Sequence, residues 1–244
     1  MKIRYLPAAC VILAFSLSGC AYKSFTYPSD YNALARLYEK PKYDLAVAVM
    51  PLIDGRVGEN SIGTQPLAWI PLLPYVSWKF EKPELAVSFL TIDGFEFHIA
   101  EDLARAIVAS LKMSNLFRDV YFYDGGDLEK VDLVIKGVSK SSAYEGKAYT
   151  YGLSVACPIL WVVGAPVGSS ANHLQVEIKM YSKQMENPIW EYEFTKEKTI
   201  KHSFYRNWAK DIIGFTVAME EGMNEVIRDM DKKLSAIPAE SLKR

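Results

Sequence analysis

The sequence predicts an α/β (α+β) fold, with one mixed sheet, two main helices packed on it and a single domain. Three observations lead there. Apolar residues recur every three or four positions over Ile99–Leu111 and again from Trp208 to Leu234, the period of a helix with one buried face. Leu174, Val176, Ile178 and Met180 alternate with Gln175, Glu177, Lys179 and Tyr181, and Trp190, Tyr192 and Phe194 alternate with Glu191, Glu193 and Thr195. That period of two belongs to half-buried strands. The run YDLAVAVMPL, Tyr43–Leu52, is nearly all apolar, as in a strand buried on both faces.

The remaining elements follow in chain order. Pro51 and Asp54-Gly55 end the first strand. Ser61–Trp78 carries no charge, and Pro66, Pro71 and Pro74 exclude a continuous helix or an inner strand there. Glu84–Leu90 reads as a short strand. The first helix should stop near Ser114-Asn115. Asp119–Tyr123 and Val131–Lys140 read as strands around the turn Asp124-Gly125-Gly126-Asp127. Asn187-Pro188 closes a hairpin between the two alternating strands. The last helix carries Gly214 and Gly222 within a mixed apolar stripe, which favours packing on the sheet over a coiled coil.

One stretch resists this scheme. YGLSVACPILWVVGAPVG, Tyr151–Gly168, has no charge, and Pro158 and Gly164 interrupt it. It is marginal in length for a membrane-spanning helix of about 20 residues. Its valines and Ile159 favour strands. The expectation is a short strand at Ser154–Cys157, a bend at Pro158 and a turn at Gly164–Gly168.

The chain opens MKIRYLPAACVILAFSLSGC. Lys2 and Arg4 precede a short apolar run and small residues, the pattern of a secretory leader. Leu17-Ser18-Gly19-Cys20 resembles the lipobox of bacterial lipoproteins. The resemblance implies cleavage between Gly19 and Cys20, a diacylglycerol on the Cys20 sulfur and a further acyl chain, such as palmitate, on its amine. One chain holds a protein to a membrane only marginally and two signals hold it stably. The residue after Cys20 is Ala21 rather than Asp, which in lipoprotein families implies sorting to the outer membrane, facing the periplasm. The expected organisation is a leader at 1–19, a lipidated Cys and tether at 20–42, a globular domain at 43–236 and a loose tail at 237–244. A fully extended tether of that length reaches on the order of 60 Å.

Composition excludes several classes. Loss of Lys2 and Arg4 leaves 26 basic against 29 acidic residues, a net charge of −3. No overall basic excess draws the chain to nucleic acid or to anionic lipid. The charged fraction of 23% and the aromatic fraction of 13% are those of a folded protein. With Cys10 in the leader and Cys20 lipidated, Cys157 has no disulfide partner within the chain. Its neighbours Ala156 and Pro158 supply nothing to lower its pKa, so a buried, inert thiol is expected.

DLAVAVMPL, then AEDLARAIVASLKMSNLFRDVYFYD, then VDLVIKGVSK and a later hairpin ending in Trp190 together resemble a small α/β domain of envelope proteins. It is the domain shared by the N-terminal part of the Tol translocation protein, the curli secretion lipoprotein and the lipoprotein activators of peptidoglycan synthases. The segments Pro71–Tyr75 and Tyr151–Ser154 are similar to segments of uncharacterised lipoproteins. The resemblance covers some 150 residues of core pattern and implies a binding or assembly module. Those domains lack the two long uncharged segments found here.

No chemistry-bearing motif stands out. His98, His173 and His202 have no zinc-ligand spacing and are expected at the surface or at caps. Asp124–Asp127 holds too few oxygens for calcium. The charges in MEEGMNE and RDMDKK are expected on a solvated helix face. No catalytic residue, metal or cofactor is therefore expected. The uncharged segments supply the candidate membrane or partner contacts, namely Trp69, Ile70, Leu72, Leu73, Tyr75, Trp78, Ile159, Leu160 and Trp161, because large apolar patches are seldom left exposed without a partner. The expected function is a non-catalytic, lipid-anchored periplasmic binding or scaffold protein of an envelope assembly or export system, contacting other envelope proteins and no nucleic acid. A pore or secretion-channel component and an envelope enzyme are the alternatives. Oligomeric state stays open.

Overall fold

The computed structural model describes residues 23–85, 95–126, 128–182, 187–207 and 210–237. Five short elements come first, β1 (Lys23–Ser24), β2 (Tyr43–Val49), β3 (Ile53–Asp54), β4 (Tyr75–Phe80) and β5 (Phe95–Glu96). Then come α1 (Ile99–Ser114), β6 (Phe117–Phe122), β7 (Leu133–Ser141), β8 (Tyr144–Tyr149), the five-residue α2 (Pro158–Val162), β9 (Gly168–Ser182), β10 (Trp190–His202) and α3 (Ile213–Leu234). The predicted class holds, as one large mixed sheet in a single α/β domain, with β1 and β5 paired in a separate two-stranded sheet.

β9 is the spine of the sheet. β10 pairs along its length, from Trp190 opposite Met180 to His202 opposite Gly168. On the other side of β9, β7 covers the half Gln175–Ser182 and β8 the half Gly168–Asn172. β7 and β8 thus act as one long strand with a kink between Ser141 and Tyr144, and the tip of its hairpin with β9 is residues 150–167. β4 flanks β8 antiparallel, while β2 and then β6 extend the sheet beyond β7 in parallel.

Both main helices pack on one face of the sheet. Leu174, Val176, Ile178 and Met180 of β9 are fully buried beneath them, and the intervening residues lie on the open face. The local signals for α1 agree with its ends. Glu101 and Asp102 occupy the first turn and Lys112 the last, where they complement the helix dipole. Asn115 ends the helix in the left-handed conformation at φ 52°, as a C-terminal cap requires. α3 runs antiparallel to β10, because Lys198 pairs with Glu221 and Lys196 with Glu225 while the Trp190 indole donates to Asp229. Gly222 is required there. A Cβ at that position would lie 2.4 Å from the Phe194 ring.

Several expectations need correction. Residues 24–42 are not a free tether but a strap laid along α3. Thr216 donates to the Thr26 carbonyl, the Ser29 N–H and hydroxyl donate to Glu220 at 2.6 and 2.8 Å, and Asn224 takes the Ala35 N–H. Further along, Tyr38 and Lys42 both bind Asp231. Thr216, Glu220, Asn224 and Asp231 share one side of the helix at spacings of four and seven. Glu220 is accordingly buried rather than solvated. β4 and β8 were not expected. The predicted strand at Ser154–Cys157 is instead a 3-10 turn at Ser154–Ala156 leading into α2. Of the expected strand Glu84–Leu90, Glu84 and Leu85 lie in the 3-10 turn Pro83–Leu85, and the rest lies outside the described residues. So do the leader with Gly19 and Cys20, Asp127, Trp208 and residues 238–244.

Candidate functional site

The two uncharged segments meet at the tip of the β8–β9 hairpin. β4 begins at Tyr75, opposite Tyr149 at the end of β8, so the residues before β4 arrive where 150–167 begin. Backbone bonds join them. The Leu72 N–H donates to the Gly152 carbonyl, the Gly152 N–H to that of Leu73, and the Tyr151 N–H to that of Pro74, each at 2.9 Å. The Ser154 hydroxyl donates to the Trp69 carbonyl at 2.6 Å, and the Thr150 hydroxyl to that of Leu73. A third segment, the loop after β10, joins through the Tyr205 hydroxyl, which donates to the Val162 carbonyl at 2.6 Å, and through Phe204 against Trp161.

The result is an apolar crown. Of seventeen exposed large apolar side chains among the described residues, twelve lie on it, so the exposure is concentrated and not scattered. Five were candidates from the sequence, Trp69, Ile70, Leu72, Tyr75 and Ile159. Leu72 is 88% exposed, at a positive φ of 71°. Leu73, Leu160 and Trp161 are half-buried. Trp78 is not part of this surface. It is 3% exposed and packs in the core over Gly146, where a Cβ would approach its ring to 2.2 Å. The other seven were missed, namely Leu67, Tyr151, Leu153, Val155, Val162, Val163 and Tyr205. The first six lie in segments already marked by their lack of charge. Nothing local marked Tyr205, whose place depends on β10 ending at the crown.

A pocket of about 340 Å³ opens among these residues, lined chiefly by Ala68, Trp69, Val76, Ala148, Pro158 and Trp161. Cys157 lies at its wall, free and buried as expected. Burial pushes its thiol above the ordinary cysteine range, which lowers the share of reactive thiolate. A thiol reagent should therefore modify Cys157 about tenfold or more slowly in the folded protein than after denaturation. Equal rates measured by thiol titration would contradict this placement.

His202 is buried, against expectation. Its Nδ1 donates to the Asn207 carbonyl at 2.9 Å, while Nε2 lies 2.8 Å from the Ser170 hydroxyl and 3.3 Å from Asp211. The residue types are those of a hydrolase triad, but the geometry differs. Serine and carboxylate share one ring nitrogen, whereas a triad places them on opposite nitrogens. The Ser170 hydroxyl also donates to the Asp211 carbonyl at 2.9 Å and is fully buried. The cluster ties β9 and β10 to the start of α3. His98 lies exposed at the start of α1, and His173 contacts the Ser141 hydroxyl at 3.2 Å. Among the described residues, no group of three metal-ligating side chains is assembled, and no helix is long and apolar enough to cross a membrane.

No protein-family model and no curated protein matches the chain. Several solved structures align with the chain at low similarity. A DUF330 protein from Xanthomonas campestris aligns at 11% identity and a TM-score of 0.46, over 87% of this chain and 95% of that one. The PelC dodecamer subunit from Paraburkholderia phytofirmans aligns at 10% identity and 0.39, over 80% and 91%. A neuraminyllactose-binding hemagglutinin homolog from Helicobacter pylori aligns at 11% and 0.36, over 89% and 94%.

Proposed function

We propose that this chain is a non-catalytic, lipid-anchored binding and scaffold protein of a bacterial envelope, held at the periplasmic face of the outer membrane by acyl chains on Cys20. The observation that carries this reading is the crown, and specifically its place in the fold. The strap begins on the helix-bearing face, where Lys23 pairs with Phe95 of β5. Thr26 is held by Thr216 in the first turn of α3, next to Gly214, which packs on Asn172 near the start of β9. From there the strap runs along α3, away from the crown.

Cys20 is three residues before Lys23, a reach of at most about 10 Å. A lipid there brings the crown, rather than the far end of the sheet, to the membrane. The open sheet face then stands clear for other envelope components, with Lys140 bound to Glu177 and Glu193. The buried Ser170–His202–Asp211 cluster supports a structural rather than a catalytic role.

Cys20→Ala tests the anchor. The variant should no longer take up labelled palmitate, whereas the parent should. Incorporation of labelled palmitate by the variant equal to that of the parent would overturn the reading.

A further inference from the structure

We infer that the crown is itself a membrane-inserting face, seated on an anionic phospholipid surface with its apolar side chains in the acyl boundary and a basic collar among the headgroups. The inference deepens the anchored reading and takes from it the position of the membrane.

Charge is the first support. Residues 61–78, 146–170 and 198–210, the three segments that converge on the crown, contain no Asp or Glu. They contain Lys147, Lys198, Lys201, Arg206 and Lys210. Lys198 pairs with Glu221, and the other four are exposed. Lys147 lies over the Tyr75 ring at 5.8 Å, at the base of the crown. The net charge of −3 conceals this collar because the acidic residues lie elsewhere. Each basic residue near an anionic membrane surface is attracted to it, and that attraction fades within a Debye length.

The second support is how the crown treats its polar atoms. The Tyr151 hydroxyl donates to the Pro166 carbonyl at 2.7 Å, that of Tyr205 to Val162 at 2.6 Å, and the Trp161 indole N–H to Tyr149 at 3.0 Å. The Ser154 and Thr150 hydroxyls also turn inward. A protein-binding face spends such groups on its partner, at about one hydrogen bond per 100–200 Å². A face entering lipid has to satisfy them internally, because hydrocarbon offers no partners. The exposed Trp and Tyr rings suit the interfacial zone.

The third support is distance. The strap meets α3 at Thr216, and the neighbouring Gly214 packs on Asn172, four residues from the crown end of β9 and ten from its other end, so a lipid on Cys20 would stand nearer the crown end.

The test uses the full acylated protein in vesicles, with an environment-sensitive fluorophore on Val163→Cys in the crown or on Asn187→Cys at the far end of the sheet. The unsubstituted protein gives the background from Cys157. In vesicles containing phosphatidylglycerol, emission from position 163 should shift to the blue and that from 187 should not. The shift should shrink in phosphatidylcholine alone, and when Lys147, Lys201 and Arg206 are replaced by Glu, while flotation with the vesicles persists. Water-like emission from 163 in floating protein overturns the inference and leaves the anchor standing. Failure to float overturns the anchor itself. A shift that appears only at high protein-to-lipid ratio assigns the crown to a second copy. One that appears only when envelope proteins are added assigns it to a protein partner. Either overturns the membrane assignment.

Discussion

Phe215→Ala should lower the stability of the fold by about 3–5 kcal/mol, the range for removing a large buried aromatic side chain. Phe215 is fully buried at the start of α3. Its ring stacks on Phe95 at 6.2 Å and Phe97 at 5.8 Å, and Phe25 of the strap closes on Phe97 at 5.1 Å. These rings join the strap, β5 and α3 above the entry to α1. Deletion leaves a void bounded by a helix and paired strands, which collapse only in part. Phe215→Leu, which keeps most of the volume, should cost far less, under about 1.5 kcal/mol. Urea unfolding followed by circular dichroism measures both. An Ala variant within about 1 kcal/mol of the parent would show that the ring cluster repacks freely.

Arg56→Met should cost about 1–3 kcal/mol near neutral pH, because it removes the charged hydrogen bonds of a buried guanidinium to the half-buried Glu84, the exposed Asp54 and the buried Ser142. The Arg56 side chain is only 2% exposed. Its Nε and Nη2 grip Asp54 at 2.8 and 2.9 Å, and its two terminal nitrogens grip Glu84 at 3.1 and 2.6 Å. Nη1 also donates to the Ser142 hydroxyl at 2.8 Å. The five donors of the guanidinium are thus all used. They tie β3, the turn after β4 and the kink between β7 and β8. Lysine lacks this planar fork and should restore only part of the loss.

The pH dependence has a definite sign. Hydrogen bonds from Arg56 hold the Asp54 carboxyl at about 2, below its ordinary 3.8. A depressed carboxyl contributes stability above its unfolded pKa and loses it as pH falls through the folded value. The parent therefore gives up this contribution between about pH 4 and pH 2, and the gap between parent and variant should narrow there. Asp54 is partly exposed, so solvent screens its share. Unfolding curves at neutral and acidic pH check this, and a gap independent of pH would assign the whole cost to packing.

Where one local period dominates, the sequence is a reliable guide. The stripe Ile99, Leu103, Ile107, Leu111 and the alternation Leu174–Met180 each put one face inward, and those side chains are buried. β8 shows the opposite case. Its residues, Tyr144 to Tyr149, include Glu145, Gly146 and Lys147, which signal no strand. Gly146 is there because Trp78 from the neighbouring strand fills the space a side chain would occupy. The strap and Glu220 fail for the same reason. Ser29 and Glu220 are 191 positions apart, and a carboxylate beside Glu221 and Gly222 reads as solvated until its distant partner is brought to it.

The crown was legible by halves. Missing charge singled out Ser61–Trp78 and Tyr151–Gly168 as unusual, without saying whether they were core or contact. Trp78 went to the core because its strand alternation turns it toward the helix-bearing face. Leu72 and Val163 stayed outside because they lie beyond the strand ends, where no helix covers them. By itself the sequence determined the fold class, the two main helices, the central strands and the resemblance of Leu17–Cys20 to a lipid-attachment signal, all set by residues close together in the chain. Only the tertiary structure decided that three segments far apart in sequence converge on one end of the sheet, and that residues 24–42 lie along α3. Convergence depends on strand order and register, which the pairing of distant surfaces sets and no local window contains.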